Sequence, residues 1–439
     1  MDTIESLRER LEALENQTEA VAYQTRTAER RLRCWRGITS AQARRSKRRV
    51  HWSACLLAAA LVIHALATSP PVQAKTFHCG AGDVSCLVAA INEANANRQK
   101  KNTIRLEAGT YTLTAIDNTT AEEPNGLPVA NGLPVITSPL TITGQGAETT
   151  IVQRDTSAPF FRILNVAAAG ALTLQRLTLR GGFPFAGDGG GIFNDGILTI
   201  IKSTISQNGV RFPFFSGGGI FNDGTLTITN STISSNATLD GNGGGIFNDG
   251  TLTITNSTIS SNRARLDGSG IFNFGTLTLT NSTIVGNTVV EDSIGVVSGG
   301  GIFTVGTVEL QNTILALNMV GLFGRGPDCF GPVTSFGNNL IGDLTGCTIT
   351  LQPSDLTGDP GLDTFTDNGK PGNGHFPLLS TSQAIDAGNN AVCLRRDQLG
   401  RRRVGPCDIG SIAFRDRDDR RHEEEDDHQR EEDTAKASR

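Results

Sequence analysis

Asp195, Asp223 and Asp249 occupy the same place in three copies of a repeated I-F-N-D-G string, and they are the carboxylates whose spacing could do chemistry. Brought level by a repeat, two of them could flank one sugar bond, since glycoside hydrolysis asks for carboxylates about 5 to 9.5 Å apart. Each is followed by glycine, however, the residue that a turn with positive φ selects, so turn duty comes first. Sugar sites also use aromatic platforms. Both Trp, Trp35 and Trp52, precede residue 75, and Tyr111 is the one Tyr beyond it. No Ser/His/Asp set, H-E-x-x-H motif or Gly-rich phosphate loop is present, and no cofactor is expected. Asp188, Asp240 and Asp267 stand before or near glycines in loops of variable length, where oxygen-rich turns could hold Ca²⁺. Turn duty alone is the preferred reading, and no metal site is expected. Zinc is disfavoured because residues 75 to 414 hold only His78 and His375 and no C-x-x-C.

Of eight Cys, Cys34 and Cys55 lie before residue 75. The other six fall as close neighbours in sequence: Cys79 with Cys86, Cys329 with Cys347, and Cys393 with Cys407. Six cysteines formally allow 15 connectivities, of which neighbour pairing is the expected one, in an oxidising compartment.

The formal net charge of −5 conceals three segments: 12 basic and 7 acidic groups in residues 1 to 52, 20 and 26 in 75 to 414, and 7 and 11 in 415 to 439. A nucleic-acid binder needs its positive charge on the folded part. Here that part is mildly acidic, so no nucleic-acid partner is expected.

Ile4, Leu7, Leu11, Leu14, Val21 and Leu32 keep a heptad spacing, so residues 1–43 read as a coiled-coil-like helix through which copies of the chain could associate. A lone amphipathic helix is the alternative. Residues 44–74 run from RRSKRR through the apolar stretch Trp52 to Ala67 to Val72-Gln73-Ala74. That order describes a secretory signal cleaved after Ala74. The competing reading is an uncleaved signal anchor holding residues 52–68 in the membrane. Both export everything from residue 75 on, to the exterior or the cell surface.

Fifty of the 51 glycines lie in residues 75 to 414, which argues against a helical domain. Aligned on them, the middle of the chain reads GGGIFNDGILTIIKSTISQN at 189–208, GGGIFNDGTLTITNSTISSN at 217–236 and again at 243–262, then degenerate copies at 269–287 and 299–318. The leading Ile falls at 192, 220, 246, 271 and 302, a period that means a solenoid. Within a unit, apolar residues alternate with Thr in short β-rich segments separated by Asn-Asp-Gly and Asn-Ser turns. One unit cannot bury its inward Leu and Ile or satisfy its strand edges alone, but stacked units do both. The fold class predicted is all-β: a right-handed parallel β-helix of three strands per rung and about eight to ten rungs, over residues 103–328. Less regular strands are expected upstream at Thr103–Leu113, Leu140–Thr143, Thr149–Val152, Phe160–Val166 and Leu172–Leu179. Residues 75–102 form an N-terminal cap whose Cys86–Asn97 is a short amphipathic helix. Asn194, Asn222, Asn248 and Asn273 make one column of amides, and Asn208, Asn236, Asn262, Asn287 and Asn318 another, hydrogen-bonding from rung to rung.

CLVAAINEANAN at 86–97 with NTIRLEAGTYTL at 102–113 resembles the CSLREA-type N-terminal module of exported bacterial β-helix proteins. The GGGIFN units resemble the repeats of polymorphic outer-membrane proteins. The stretch 329–414, with CFGPVTSFGNNLIGDLTGC, DPGLDTFTDNGKPGNG, FPLLSTSQAIDAGN and CDIGSIAF, resembles the choice-of-anchor Q domain. The resemblance implies a right-handed β-helix displayed at or beyond the cell surface, mostly without catalysis. Two features depart from it: Phe414 is followed by a charged tail, 415–439, instead of an apolar anchor, and 439 residues leave no room for a translocator barrel. The tail reads as a solvated, disordered end.

Repeat length varies almost wholly at one corner, where 12, 10, 9 and 15 residues separate the closing Asn from the next leading Ile. Those loops include FPFAGD at 183–188 and VRFPFF at 210–215, placing Phe183, Phe185, Phe212, Phe214 and Phe215 on neighbouring rungs as a binding patch for a protein or glycan at the cell surface. The plainer alternative is that the two loops pack on each other and hide the rings. An adhesin-like scaffold is thus expected, with a polysaccharide lyase or hydrolase as the alternative.

Overall fold

The computed structural model describes residues 73–97, 101–122, 127–211, 215–290, 297–367 and 374–415. The heptad segment, the apolar stretch 52–68, Phe212, Phe214 and the tail from 416 lie outside the described residues.

The unit beginning at Ile220 shows how the sequence makes a rung. It runs Ile220–Asn222, Thr225–Thr229, Thr232–Ser234 and Ala237–Thr238, each segment ending in a tight turn. In the second strand Leu226 and Ile228 point inward and are buried, while Thr225, Thr227 and Thr229 face out. Each strand pairs in parallel with its counterpart one unit on: Ile220 with Ile246, Leu226 with Leu252, Ile233 with Ile259, Ala237 with Arg263. Like residues therefore stack at the inter-strand spacing of about 4.8 Å. Every inward Leu or Ile contributes roughly 1.5 to 3 kcal/mol of burial. The third stack is a 10-stranded sheet, and together the stacks form an all-β parallel solenoid.

Several details differ from the sequence reading. Central rungs have four strands instead of three: Gly209–Val210, Ala237–Thr238, Arg263–Ala264 and Thr288–Val289 form an added short stack after the second Asn column. Thr103–Leu113 is two strands, Asn102–Leu106 and Gly109–Leu113, because the chain turns a corner between them. An antiparallel hairpin, Asn118–Glu122 with Leu127–Asn131, interrupts the early coils. Residue 328 is no break in the stacking, which continues through Cys329–Ser335, Leu340–Ile341 and Cys347–Thr350 to Leu356–Thr357.

The amphipathic segment near the start is a helix, Val84–Ala96, capped by Asp83, whose carboxylate accepts the Cys86 N–H at 2.9 Å. That hydrogen bond, then one from Ser85 Oγ, holds the Asp83 carboxyl below its ordinary range. Leu87, Ala90, Ile91 and Ala94 are buried and join the hydrophobic core of the first coils. The helix thereby covers an end of the solenoid that would otherwise leave Ile104 and Leu140 wet.

Residues 374–413 run back along the outside of the third stack. Thr232 Oγ1 donates to Gly374 O (2.8 Å), Thr258 Oγ1 to Gln398 Oε1 (2.6 Å), and Ser411 N–H to Thr283 Oγ1 (3.1 Å). Asn256, Asn281 and Asn312, all with φ near +50°, turn their amides onto the same segment: onto Arg396 O, the Cys407 sulfur and Asn389 O. The outward residues of the stack change to match. They are Thr204 and Ser206 in one rung, but Val285, Ile314, Ala316 and Leu340 further on, where they pack with Leu378, Ala384 and Ile409 as a second core.

The six cysteines from residue 79 onward are joined as neighbours, Cys79–Cys86, Cys329–Cys347 and Cys393–Cys407, with Cα separations of 5.5, 5.1 and 6.1 Å. Among the described residues no helix is long and apolar enough to cross a membrane.

Candidate binding surface at the variable corner

Three buried columns fix how the corner loops are presented. In the first, Asn194, Asn222 and Asn248 each donate Nδ2–H to the Oδ1 of the next Asn at 2.6, 2.7 and 2.7 Å, and Asn273 donates to Thr304 Oγ1 at 3.1 Å. In the second, Asn208, Asn236, Asn262 and Asn287 give both backbone N–H and Nδ2–H to the next amide, at 2.9 to 3.1 Å, ending at Asn318. Asn318 passes the pattern to Asp328, a carboxylate with nothing to donate and hence a natural terminus. Burial pushes the Asp328 carboxyl up to about 6, against the pull of hydrogen bonds from Asn318 and Asp343.

The third column was not anticipated from sequence, although its residues were in view. The Phe after the leading Ile of each unit, and Phe330 after Cys329, points outward, and Phe193, Phe221, Phe247, Phe272, Phe303 and Phe330 stack ring on ring at 5.3, 4.8, 5.0, 4.8 and 5.5 Å. Arg162, fully buried, closes one end with its guanidinium 5.0 Å from the Phe193 centroid and donates to Asp188 O, Gly189 O and Asn131 Oδ1. A repeated aromatic one residue after an inward Ile was the available signal. Phe221, Phe247 and Phe272 are buried and the other three rings half-buried, and the column is structural.

Asp195, Asp223 and Asp249 sit at the turn between the first and second strands, and the N–H groups of Asp223 and Asp249 donate to Asn194 O and Asn222 O, both at 2.8 Å. The glycine after each is needed for a different reason from the one expected. Positive φ falls instead on the first glycine of the GGG string, as at Gly217 (φ +71). Asp188 and Asp267, in the variable loops, accept the N–H of Ser216 and Ser298 one rung on, both at 2.6 Å, and Asp240 pairs with Arg265.

Asp267 is the most shielded of these carboxyls. Burial pushes it from the ordinary 3.8 up to about 7, opposed by the Ser298 N–H. The folded state then holds this proton more tightly than the unfolded one, so the stability it contributes is full below pH 4 and drains away as pH rises from about 4 to about 7. The melting temperature is expected to be higher at pH 5 than at pH 8, by about 2 to 4 °C on account of this residue. Asp267→Asn should shrink that gap, as calorimetry at the two pH values would read.

Three of the five predicted Phe are described at the variable corner. Phe185 is 53% exposed, Phe183 and Phe215 are half-buried, and Phe212 and Phe214 are outside the described residues. Phe183 and Phe185 meet a residue the sequence reading missed, Phe160, at 5.8 and 6.3 Å. Phe160 is itself exposed and lies between two guanidinium groups, Arg154 at 5.7 Å and Arg211 at 5.4 Å. Arg154 is held by bonds to Gly181 O and Asp155 O, and burial lowers its pKa. Arg211 is exposed. The missed residue arrives from the preceding rung, 23 residues before Phe183, where no repeat motif marks it. Further round the coil, Thr178, Arg180, Thr204 and Ser206 line a polar groove of about 320 Å³, ended by Phe365 and Asp367. There Arg180 Nε donates to Gln153 Oε1 at 2.9 Å.

The architecture defines a parallel β-helix. Consistently, residues 164–321 match the family described as right handed beta helix region. Among solved structures the chain is similar to the A-module of the mannuronan C-5 epimerase AlgE4 of Azotobacter vinelandii, at 16% identity over 62% of this chain and 86% of that one, with a TM-score of 0.30. A likeness that loose carries no argument about site or chemistry. No curated protein matches the sequence.

Proposed function

We propose that this protein is an exported β-helix scaffold of adhesin-like character, held at or beyond the cell surface, that binds a partner through the loops of one corner. The observation that carries the reading is the coincidence at that corner of variable loop length, exposed aromatic rings and unburied guanidinium, on a coil whose other turns are rigidly repeated. Loops on a fixed scaffold are where binding surfaces evolve. The three disulfides are consistent with an extracellular setting. The likeness of 86–113 to the CSLREA-type module and of 329–414 to the choice-of-anchor Q domain supports the same placement. The polysaccharide-processing alternative lacks such a convergence of features.

Phe160→Ser with Phe185→Ser should abolish adhesion to cells or to a surface glycan array while the circular dichroism of the β-sheet stays unchanged. Undiminished adhesion by that variant would remove the corner from the binding site.

A further inference from the structure

Arg396 and Arg402 lie opposite each other in a short hairpin of the segment that runs back along the third stack. They form an antiparallel bridge, with Asp397 N–H donating to Arg401 O (2.9 Å) and Arg403 N–H to Arg395 O (3.0 Å). Two residues flanked in this way are the close, non-hydrogen-bonded pair of an antiparallel ladder, and their side chains share one face. Like charges placed so repel. The hairpin is fastened from below and cannot open to relieve them: Asn256 Nδ2 donates to Arg396 O (2.6 Å), and the buried Arg403 donates to Gly410 O (2.8 Å) and Asn256 Oδ1 (3.3 Å).

Arg396 and Arg402 are both exposed, and among the described residues neither has a carboxylate partner. Arg396 gives Nη1–H to Gly400 O at 2.6 Å. The hairpin's own acid, Asp397, is buried and directs its oxygens to the N–H groups of Arg401 and Ala413. Asp408 is buried as well, accepting the N–H groups of Asp386 and Phe414. Asp386, beside Gly405, is the solvent-facing carboxylate of residues 386–408. Against it stand four arginines, because Arg395 is exposed too and Arg401 half-buried.

Such a pair calls for a run of carboxylates, and the chain carries one. Arg415 Nη2 donates to Arg402 O (3.0 Å), so the segment from 416 on starts within one arginine's length of the pair. Residues 416–422 hold three acidic and three basic groups, and Glu423, Glu424, Glu425, Asp426 and Asp427 follow without a break. Seven residues span up to about 24 Å when extended, ample for a return to the hairpin. Guanidinium and carboxylate match as paired donors and acceptors, and a short tether supplies an effective concentration in the millimolar range. We propose that the acidic run 423–427 docks on the Arg396–Arg402 hairpin and closes this patch to external polyanions. The proposal stands independently of the corner binding surface.

The test uses the full chain and a Glu-specific protease at low salt, with cleavage after Glu423, Glu424 and Glu425 followed by mass spectrometry. Arg396→Gln with Arg402→Gln should speed that cleavage about three- to ten-fold, the sequence around the cut being unchanged. In about 1 M salt, where the Debye length is near 3 Å, the two rates should converge. Should circular dichroism show that variant misfolded, the reciprocal one decides: with Glu423→Gln, Glu424→Gln, Glu425→Gln, Asp426→Asn and Asp427→Asn, Arg402 should react several-fold faster with phenylglyoxal than in the parent. Equal cleavage rates in parent and hairpin variant, or an Arg402 reactivity indifferent to the charge of 423–427, would overturn the proposal. Two further outcomes would do the same. Protection that grows with protein concentration would assign the acidic run to a second copy, and protection that persists in the hairpin variant until salt removes it would assign the run to RRSKRR at 44–49.

Discussion

Gly250→Ala is expected to abolish the folded solenoid. A Cβ at this position would lie 2.0 Å from Gly224 O and 2.8 Å from the carbonyl of Asp223. Neither atom can swing aside, because Gly224 O accepts the Thr251 N–H at 2.9 Å as part of the ladder between rungs. The same crowding repeats along the column, with a Cβ on Gly224 2.1 Å from Gly196 O and one on Gly275 1.9 Å from Gly250 O. Moving one rung therefore strains the next, and a cost of about 4 to 5 kcal/mol or more is expected. Gly286→Ala is the comparison: its φ is +71 but nothing lies within 4 Å of the added carbon, so backbone strain of about 1 to 2 kcal/mol is all it should incur. Thermal melts followed by circular dichroism would separate the two. Equal melting temperatures would show that rungs can part to admit a methyl group.

The second large effect is expected at Asn262. Its Oδ1 accepts both the N–H and an Nδ2–H of Asn236, while its own Nδ2 donates to Asn287 Oδ1 at 2.9 Å and Ile233 O at 3.0 Å. Asn262→Ala leaves those four groups buried with that partner gone. At about 1 kcal/mol or more for each, the loss is roughly 4 kcal/mol. Asn262→Asp should rescue little, since a carboxylate repels Asn287 Oδ1 and Ile233 O. Asp stands in this column only at position 328, where the Asp343 N–H meets its second oxygen at 2.7 Å. Urea unfolding of the three proteins would decide the matter. A variant as stable as the parent would mean that water or a side-chain shift replaces the amide.

What the sequence made legible was whatever the repeat multiplies. Ile246, Leu252, Ile254 and Ile259 are core because each has a twin above and below, and the Asn columns were readable for the same reason. The short fourth strand was not readable, because Gly209, Ala237, Arg263 and Thr288 share no residue type: backbone pairing alone defines them. The glycine after each Asp was noticed but misassigned, since a steric demand from the rung below leaves no trace in the local string. Residues 374–413 lie far along the chain from the stack they cover, and only the drift of the outward pair from Thr-Ser to Ile-Ala at 314 and 316 hinted at a lid there. Phe160 joined the corner patch through a neighbour it precedes by one coil, which no local pattern could announce.

The covering segment also works as a gauge of length. Units 217–236 and 243–262 are the same string, so recombination between their coding regions could delete or duplicate a coil without offending any nearest neighbour. The overlay would notice: Gly374, Gln398 and Ser411 reach Thr232, Thr258 and Thr283 in turn, and Ile409 needs the oily patch around Ile314. A chain with one coil more or fewer between 232 and 314 would lay its closing segment out of step by a full level. An added or lost coil would therefore forfeit the overlay's contacts at Thr232, Thr258 and Thr283, a cost that the repeated units alone would not register.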